Sequence, residues 1–111
     1  MRRILQSVGS KWTVLVVSQL NLGPKRFSEL RRAIGGITQK SLTATLRELE
    51  KDGLVHRIVT PTIPPRVDYR LTPLGQSLTV PLDALTNWAV ENEAAVSEAQ
   101  SRFEAAQHQS A

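Results

Sequence analysis

RFSELRRAIGGITQKSLTATLRELEKDGL, from Arg26 to Leu54, holds two helical patterns separated by a pair of glycines. In the first, Phe27, Leu30 and Ile34 recur at spacings of three and four while Arg31 and Arg32 face outward, which is the pattern of a short amphipathic helix. Gly35-Gly36 ends it, because glycine reaches backbone angles closed to other residues. Thr38 then offers an N-cap oxygen to a second helix, whose Leu42, Leu46 and Leu49 form one stripe before Gly53 stops it. Two helices joined by a short GGI turn make a helix-turn-helix.

The unburied side of that second helix carries the chemistry. With Leu42 at the centre of the buried side, a step of about 100° per residue gathers Lys40, Thr43, Arg47 and Lys51 on the opposite side, flanked by Gln39 and Ala44. Lys and Arg reach guanine or phosphate, Gln pairs bidentately with adenine, and Thr takes a base edge or a phosphate. These types suit a DNA groove. The competing reading is a solvated polar face, which every amphipathic surface helix has.

Upstream, KWTVLVVSQL (Lys11–Leu20) predicts a core helix with Trp12, Leu15, Val16 and Leu20 on its inner face, closed by Asn21, Leu22, Gly23 and Pro24. Downstream, VHRIV (Val55–Val59) and RVDYRL (Arg66–Leu71) alternate and are rich in β-branched residues or tyrosine, so each reads as a half-buried strand. Pro61, Pro64 and Pro65 fall between them. Proline stiffens a loop and is excluded from strand interiors, so the segment becomes a hairpin with a rigid tip that presents Arg66, flanked by Arg57 and Arg70. A hairpin directly after a reading helix is a wing, whose arginines can lie along phosphates or enter a narrow minor groove. A plain connecting hairpin with solvated arginines is the alternative.

Charge divides along the chain in the same sense. Residues 1–70 carry 13 Lys/Arg against 5 Asp/Glu, and residues 71–111 carry 1 against 5, within a net charge of +4. The basic part is expected to face a polyanion and the acidic part to point elsewhere. After the hairpin, Thr72-Pro73 opens a helix with a stripe of Leu74, Leu78, Leu82, Leu85, Trp88 and Ala89, and Pro81 is expected to bend or divide it. The stripe exceeds what one small domain needs, so packing between two copies, with an N-terminal helix around Ile4, Leu5 and Val8, is the expected use; an intramolecular core helix is the alternative. Residues 91–111 favour helix, with Ala95, Ala99, Phe103 and Ala106 as a weak apolar face and an end that frays.

Other function classes find little support. The 111 residues suit one domain, and zero cysteines exclude disulfides, thiolate catalysis and Cys-ligated metals. His56 and His108 stand apart from any catalytic or metal-binding spacing, and Gly35-Gly36 follows a helix rather than the strand a phosphate loop needs. No catalytic residue, metal or cofactor is expected. Without an apolar run of roughly 20 residues or a signal-peptide pattern, a cytoplasmic chain without a membrane span is the simplest expectation.

Three segments together resemble the HxlR-type regulators, winged helix-turn-helix transcription factors related in fold to the MarR group. They are GSKWTVLVVSQL (Gly9–Leu20), KRFSELRRAIGGITQKSLTATLRELEKDGLV (Lys25–Val55) and PPRVDYRLTPLGQSL (Pro64–Leu78). The resemblance runs from Ile4 to about Trp88. It implies a fold that is mainly α with a small β-hairpin, a winged helix-turn-helix domain over residues 1–90, and dimerising terminal helices with a helical tail over 91–111. It further implies a homodimer on double-stranded DNA, with the recognition helix at about 38–52 in the major groove and the wing at about 60–68 on the minor groove or backbone. The expected DNA contacts are Arg26, Thr38, Gln39, Lys40, Ser41, Thr43, Arg47 and Arg66. The expected dimer contacts are Ile4, Leu5, Val8, Leu78, Leu82, Leu85 and Trp88. Many members carry a cysteine before the first helix that in some senses oxidants; this sequence has none, so thiol sensing does not carry over, and whether a segment precedes Met1 stays open. Two rival readings remain: a winged-helix protein-interaction module, and a regulator that responds to an apolar small molecule at the dimer interface near Trp12 and Trp88.

Overall fold

The computed structural model describes residues 10–110. Helix α1 (Lys11–Asn21) begins at Ser10, whose Oγ accepts the Thr13 N–H at 3.1 Å. Its buried residues are Thr13, Val16, Val17 and Leu20. The inner face is therefore rotated from the expected one, since Trp12 is half-buried and Leu15 is 36% exposed. Thr13 is cheap to bury because its hydroxyl accepts a hydrogen bond from Ser10 Oγ at 3.0 Å. Residues 13, 16, 17 and 20 then follow the i, i+3, i+4, i+7 rule, and a polar residue stands where a pattern search favours the tryptophan.

Strand β1 (Lys25–Arg26) leads into α2 (Phe27–Ile34), which buries Leu30. The Arg26 N–H donates to Glu29 Oε1 at 2.9 Å, tying off an orphan donor at the helix start. Gly35 and Gly36, at φ 67° and 70°, form the turn in the left-handed region, where a side chain would be strained. Ile37 anchors the turn in the core, at 4% exposure. Helix α3 (Gln39–Lys51) then starts at Thr38, whose Oγ1 accepts the Ser41 N–H at 3.1 Å, and buries Leu42, Leu46 and Leu49. Removing that cap in Thr38→Ala is expected to cost about 1 kcal/mol and to lower the thermal midpoint by several degrees, measured by circular dichroism.

The expected hairpin is present as β2 (Val55–Thr60) and β3 (Arg66–Leu71), antiparallel with Val55 opposite Leu71 and Thr60 opposite Arg66. The sheet has three strands in the order β1-β3-β2, because Lys25 and Arg26 pair with Tyr69 and Asp68. A core of Val16, Val17, Leu20, Leu30, Leu42 and Leu49 sits where α1 packs on α2, α3 and β3. Each such side chain contributes roughly 1.5–3 kcal/mol through burial.

Thr72 ties the end of α3 to the start of the next helix. Its Oγ1–H donates to the Gly53 carbonyl at 2.6 Å, its N–H donates to the Leu54 carbonyl at 3.0 Å, and Oγ1 accepts the Gly75 N–H at 3.0 Å. Helix α4 (Pro73–Glu91) starts there and runs unbroken through Pro81, so the proline does not divide it. Helix α5 (Glu93–Ser110) comes after it. The chain forms two compact units, one ending at Val80 and the other beginning at Pro81. Within the second unit Asn92 Nδ2 donates to the Trp88 carbonyl at 2.8 Å, and Ala95, Ala99, Phe103 and Ala106 are exposed.

Candidate nucleic-acid interface

The outer side of α3 is built as its sequence suggests. Burial of Leu42, Leu46 and Leu49 turns Gln39, Lys40, Thr43, Ala44, Arg47 and Glu48 onto one open concave surface. All six are exposed, and among the described residues Lys40 and Arg47 form no ion pair. Glu48 is an addition to the expected face; a carboxylate there can accept from cytosine N4. Lys51 is exposed but lies outside this surface. Thr38 is exposed at the helix start with its oxygen engaged in the cap, and Ser41 is half-buried beneath it.

Between α3 and the sheet lies a notch of about 370 Å³ lined by Thr43, Leu46, Arg47, Glu50, Arg57 and Tyr69. Arg57 and Tyr69 are register partners on β2 and β3, so both point from the same sheet face toward α3. Strand alternation alone signals that Arg57 shares a face with Val55 and Val59, whereas its nearness to Arg47 needs the packing of the sheet on α3.

The remaining two expected contacts sit on the sheet. Arg26 is exposed on β1 as the register partner of Asp68. Arg66 donates from Nε to Asp68 Oδ2 at 3.0 Å, with side chains 51% and 18% exposed. The arginine expected at the tip is exposed and tethered to its own strand. The pair is too exposed to add much stability, but it orients the guanidinium and leaves its terminal nitrogens for another acceptor. Beyond it Pro61–Pro65 form the tip, where Thr62 Oγ1–H donates to the Pro64 carbonyl at 2.9 Å and Ile63 is fully exposed.

Of the residues expected at a dimer contact, Ile4, Leu5 and Val8 lie outside the described residues. Leu78 is half-buried within the first unit. In the second unit Leu82 is buried at 6% exposure, whereas Leu85 and Trp88 are 54% and 57% exposed. Trp12 is half-buried, with Lys11 Nζ 4.8 Å from its ring centroid. Among the described residues there is no group of three or more His, Asp or Glu placed to hold a metal ion, and no helix is long and apolar enough to cross a membrane.

Known proteins resemble the chain in both sequence and fold. Residues 7–97 match a family model described as HxlR-like helix-turn-helix. The uncharacterized HTH-type transcriptional regulator YtfH of Escherichia coli (strain K12) is 46% identical over 87 residues, covering 78% of this chain and 69% of that protein. The solved structure of ytfH from Salmonella typhimurium superposes with a TM-score of 0.82 at 40% identity, over 90% of this chain and 89% of the other. The redox regulator HypR in its oxidized form superposes with a TM-score of 0.76 at 41% identity, over 82% and 94% of the two chains. The 111 residues of the present sequence hold no cysteine, so they offer no thiol for a redox response of their own.

Proposed function

The chain belongs to the HxlR-like helix-turn-helix family of transcriptional regulators, and we propose accordingly that it reads an operator as a homodimer, α3 in the major groove and the β2–β3 hairpin on the minor groove or backbone. One observation carries this reading: Gln39, Lys40, Thr43 and Arg47 share an open face on a helix whose other side is locked into the core. Gln39 and Thr43 supply base-edge chemistry, while Lys40, Arg47 and Arg57 supply cations for guanine or phosphate. Arg66, tethered to Asp68, and Arg26, the register partner of Asp68, add cations on the sheet face opposite Arg57. A module built to grip a protein partner would show an apolar or acidic face on α3, and the cations argue against it.

Dimerisation draws on the exposed Leu85 and Trp88 of α4, with Leu78 and the N-terminal Ile4, Leu5 and Val8 completing the expected surface, while Leu82 is already buried within the single chain. A two-fold dimer sets its recognition helices roughly 34 Å apart, one duplex turn. Selection of bound duplexes from a random pool at near-physiological salt tests the whole reading. A pseudo-palindromic consensus is expected; no enrichment by folded, dimeric protein would reject the role of α3.

Arg66 has a separate signature. In Arg66→Ala, binding is expected to weaken on every sequence alike, and the log–log salt slope to flatten by about 0.9 for each phosphate left without its cation. Titration of one specific and one random duplex at several salt concentrations measures both quantities. Weaker binding confined to the specific duplex would instead make Arg66 a base reader.

A further inference from the structure

The opposite face of the sheet holds a second feature. His56 and Arg70 are directly opposed register partners on β2 and β3, one residue out of step with Arg57 and Tyr69, so they point away from α3. They open onto a cavity of about 530 Å³ whose walls mix the apolar Leu20, Pro24 and Pro73 with the polar Asn21 and Gln76. That volume is in the range of small-molecule sites.

The charge pattern in this cavity is one-sided. No Asp or Glu lines it, and among the described residues neither His56 nor Arg70 has a side-chain hydrogen bond or ion pair. A guanidinium set across the strand from an imidazole has no carboxylate in its cross-strand neighbour to pair with. A planar guanidinium with no acceptor, at the mouth of a crevice walled in part by Leu20, Pro24 and Pro73, matches a carboxylate on an apolar body.

We propose that this cavity is a binding site for a small organic carboxylate, its charged end on Arg70 and His56 and its apolar body against Leu20, Pro24 and Pro73. The site lies within a single protomer and stands independently of the DNA reading, since its occupant meets the free protein. It lies on the sheet face opposite Arg57, Arg47 and Thr43, the face on which Arg70 is followed by Asp68 and Arg66 toward the hairpin tip.

Amide NMR of the full chain titrated with 1-naphthoate tests the site, with 1-naphthamide as the neutral isostere. Saturable shifts are expected at His56, Arg70 and Gln76, with binding at least about tenfold weaker for the amide and for Arg70→Gln or His56→Gln, as removal of one charge-assisted hydrogen bond implies. Arg70→Gln and His56→Gln change exposed strand positions, so unchanged melting curves verify folding. Shifts that fail to saturate, or equal binding of acid and amide, overturn the proposal. Because Arg70 shares its strand face with Arg66, DNA titration of Arg70→Gln separates the two roles: lost naphthoate binding with an unchanged salt slope supports the site, and a flattened slope with no naphthoate binding by the parent protein makes Arg70 a phosphate contact instead.

Discussion

Gly75→Ala is expected to destabilise the fold by about 3 kcal/mol, lowering the thermal midpoint by roughly 10 °C or more. At an ordinary helix position the same change stabilises, by up to about 1 kcal/mol, because alanine loses less backbone entropy. The sign reverses here because a Cβ on Gly75 would collide with the Leu54 carbonyl oxygen, and would lie 3.1 Å from the carbonyl carbon and 3.2 Å from Leu71 Cδ2. The obstacle is backbone, and the Leu54 carbonyl is held by the Thr72 N–H at 3.0 Å, so it cannot swing aside as a flexible side chain would. Ser77→Ala, two residues along the same helix and exposed, serves as the comparison and is expected to be near neutral. A Gly75→Ala protein that melts at or above the parent temperature would show that α4 does not start this close to the root of the sheet.

The second large effect concerns sequence discrimination. Gln39→Ala and Thr43→Ala are each expected to cost about 1–3 kcal/mol on the selected operator, roughly five- to 150-fold in affinity, with random DNA bound almost as before. Both residues are exposed on the open face of α3 and neither supports the core, so folding is not at stake. Competition of each variant between the consensus and single-base changes also locates the base pair each residue reads. Equal weakening on consensus and random duplex would move Gln39 and Thr43 from base reading to backbone contact.

Much of this architecture is legible in the sequence because its signals are local. Thr38 caps α3, Leu42, Leu46 and Leu49 turn inward, and Pro61, Pro64 and Pro65 sit in the hairpin tip, each as the residue types and spacings indicate. The inner face of α1 is harder to read, because Thr13 enters the core only through a hydroxyl contact with Ser10 that periodicity does not encode. Strand β1 has two residues, too few for any alternation, and exists through pairing with β3. The Arg66–Asp68 pair is within reach of a sequence reading, since residues two apart on a strand share a face. The cavity at His56 and Arg70 is not: it depends on where the turn at Gly23-Pro24 and the start of α4 fall in space. For the proposed recognition surface, residue types and a helical wheel suffice to gather Gln39, Lys40, Thr43 and Arg47, whereas Arg57 and Tyr69 come beside it through tertiary packing.

The Thr72 junction sets how the domain breathes. Leu54 donates to the Leu49 carbonyl at 2.9 Å and accepts from Thr72, which also holds Gly53 and Gly75. The last turn of α3, the root of β2 and the first turn of α4 therefore cannot fray one at a time; opening any of them strips polar partners from the others. In hydrogen-exchange terms the amides of Leu54, Thr72 and Gly75 belong to one cooperative unit and share one opening free energy. Helix α3 is thereby denied the end-fraying common to short helices, and its outer face keeps a fixed set of side-chain directions in place of an ensemble.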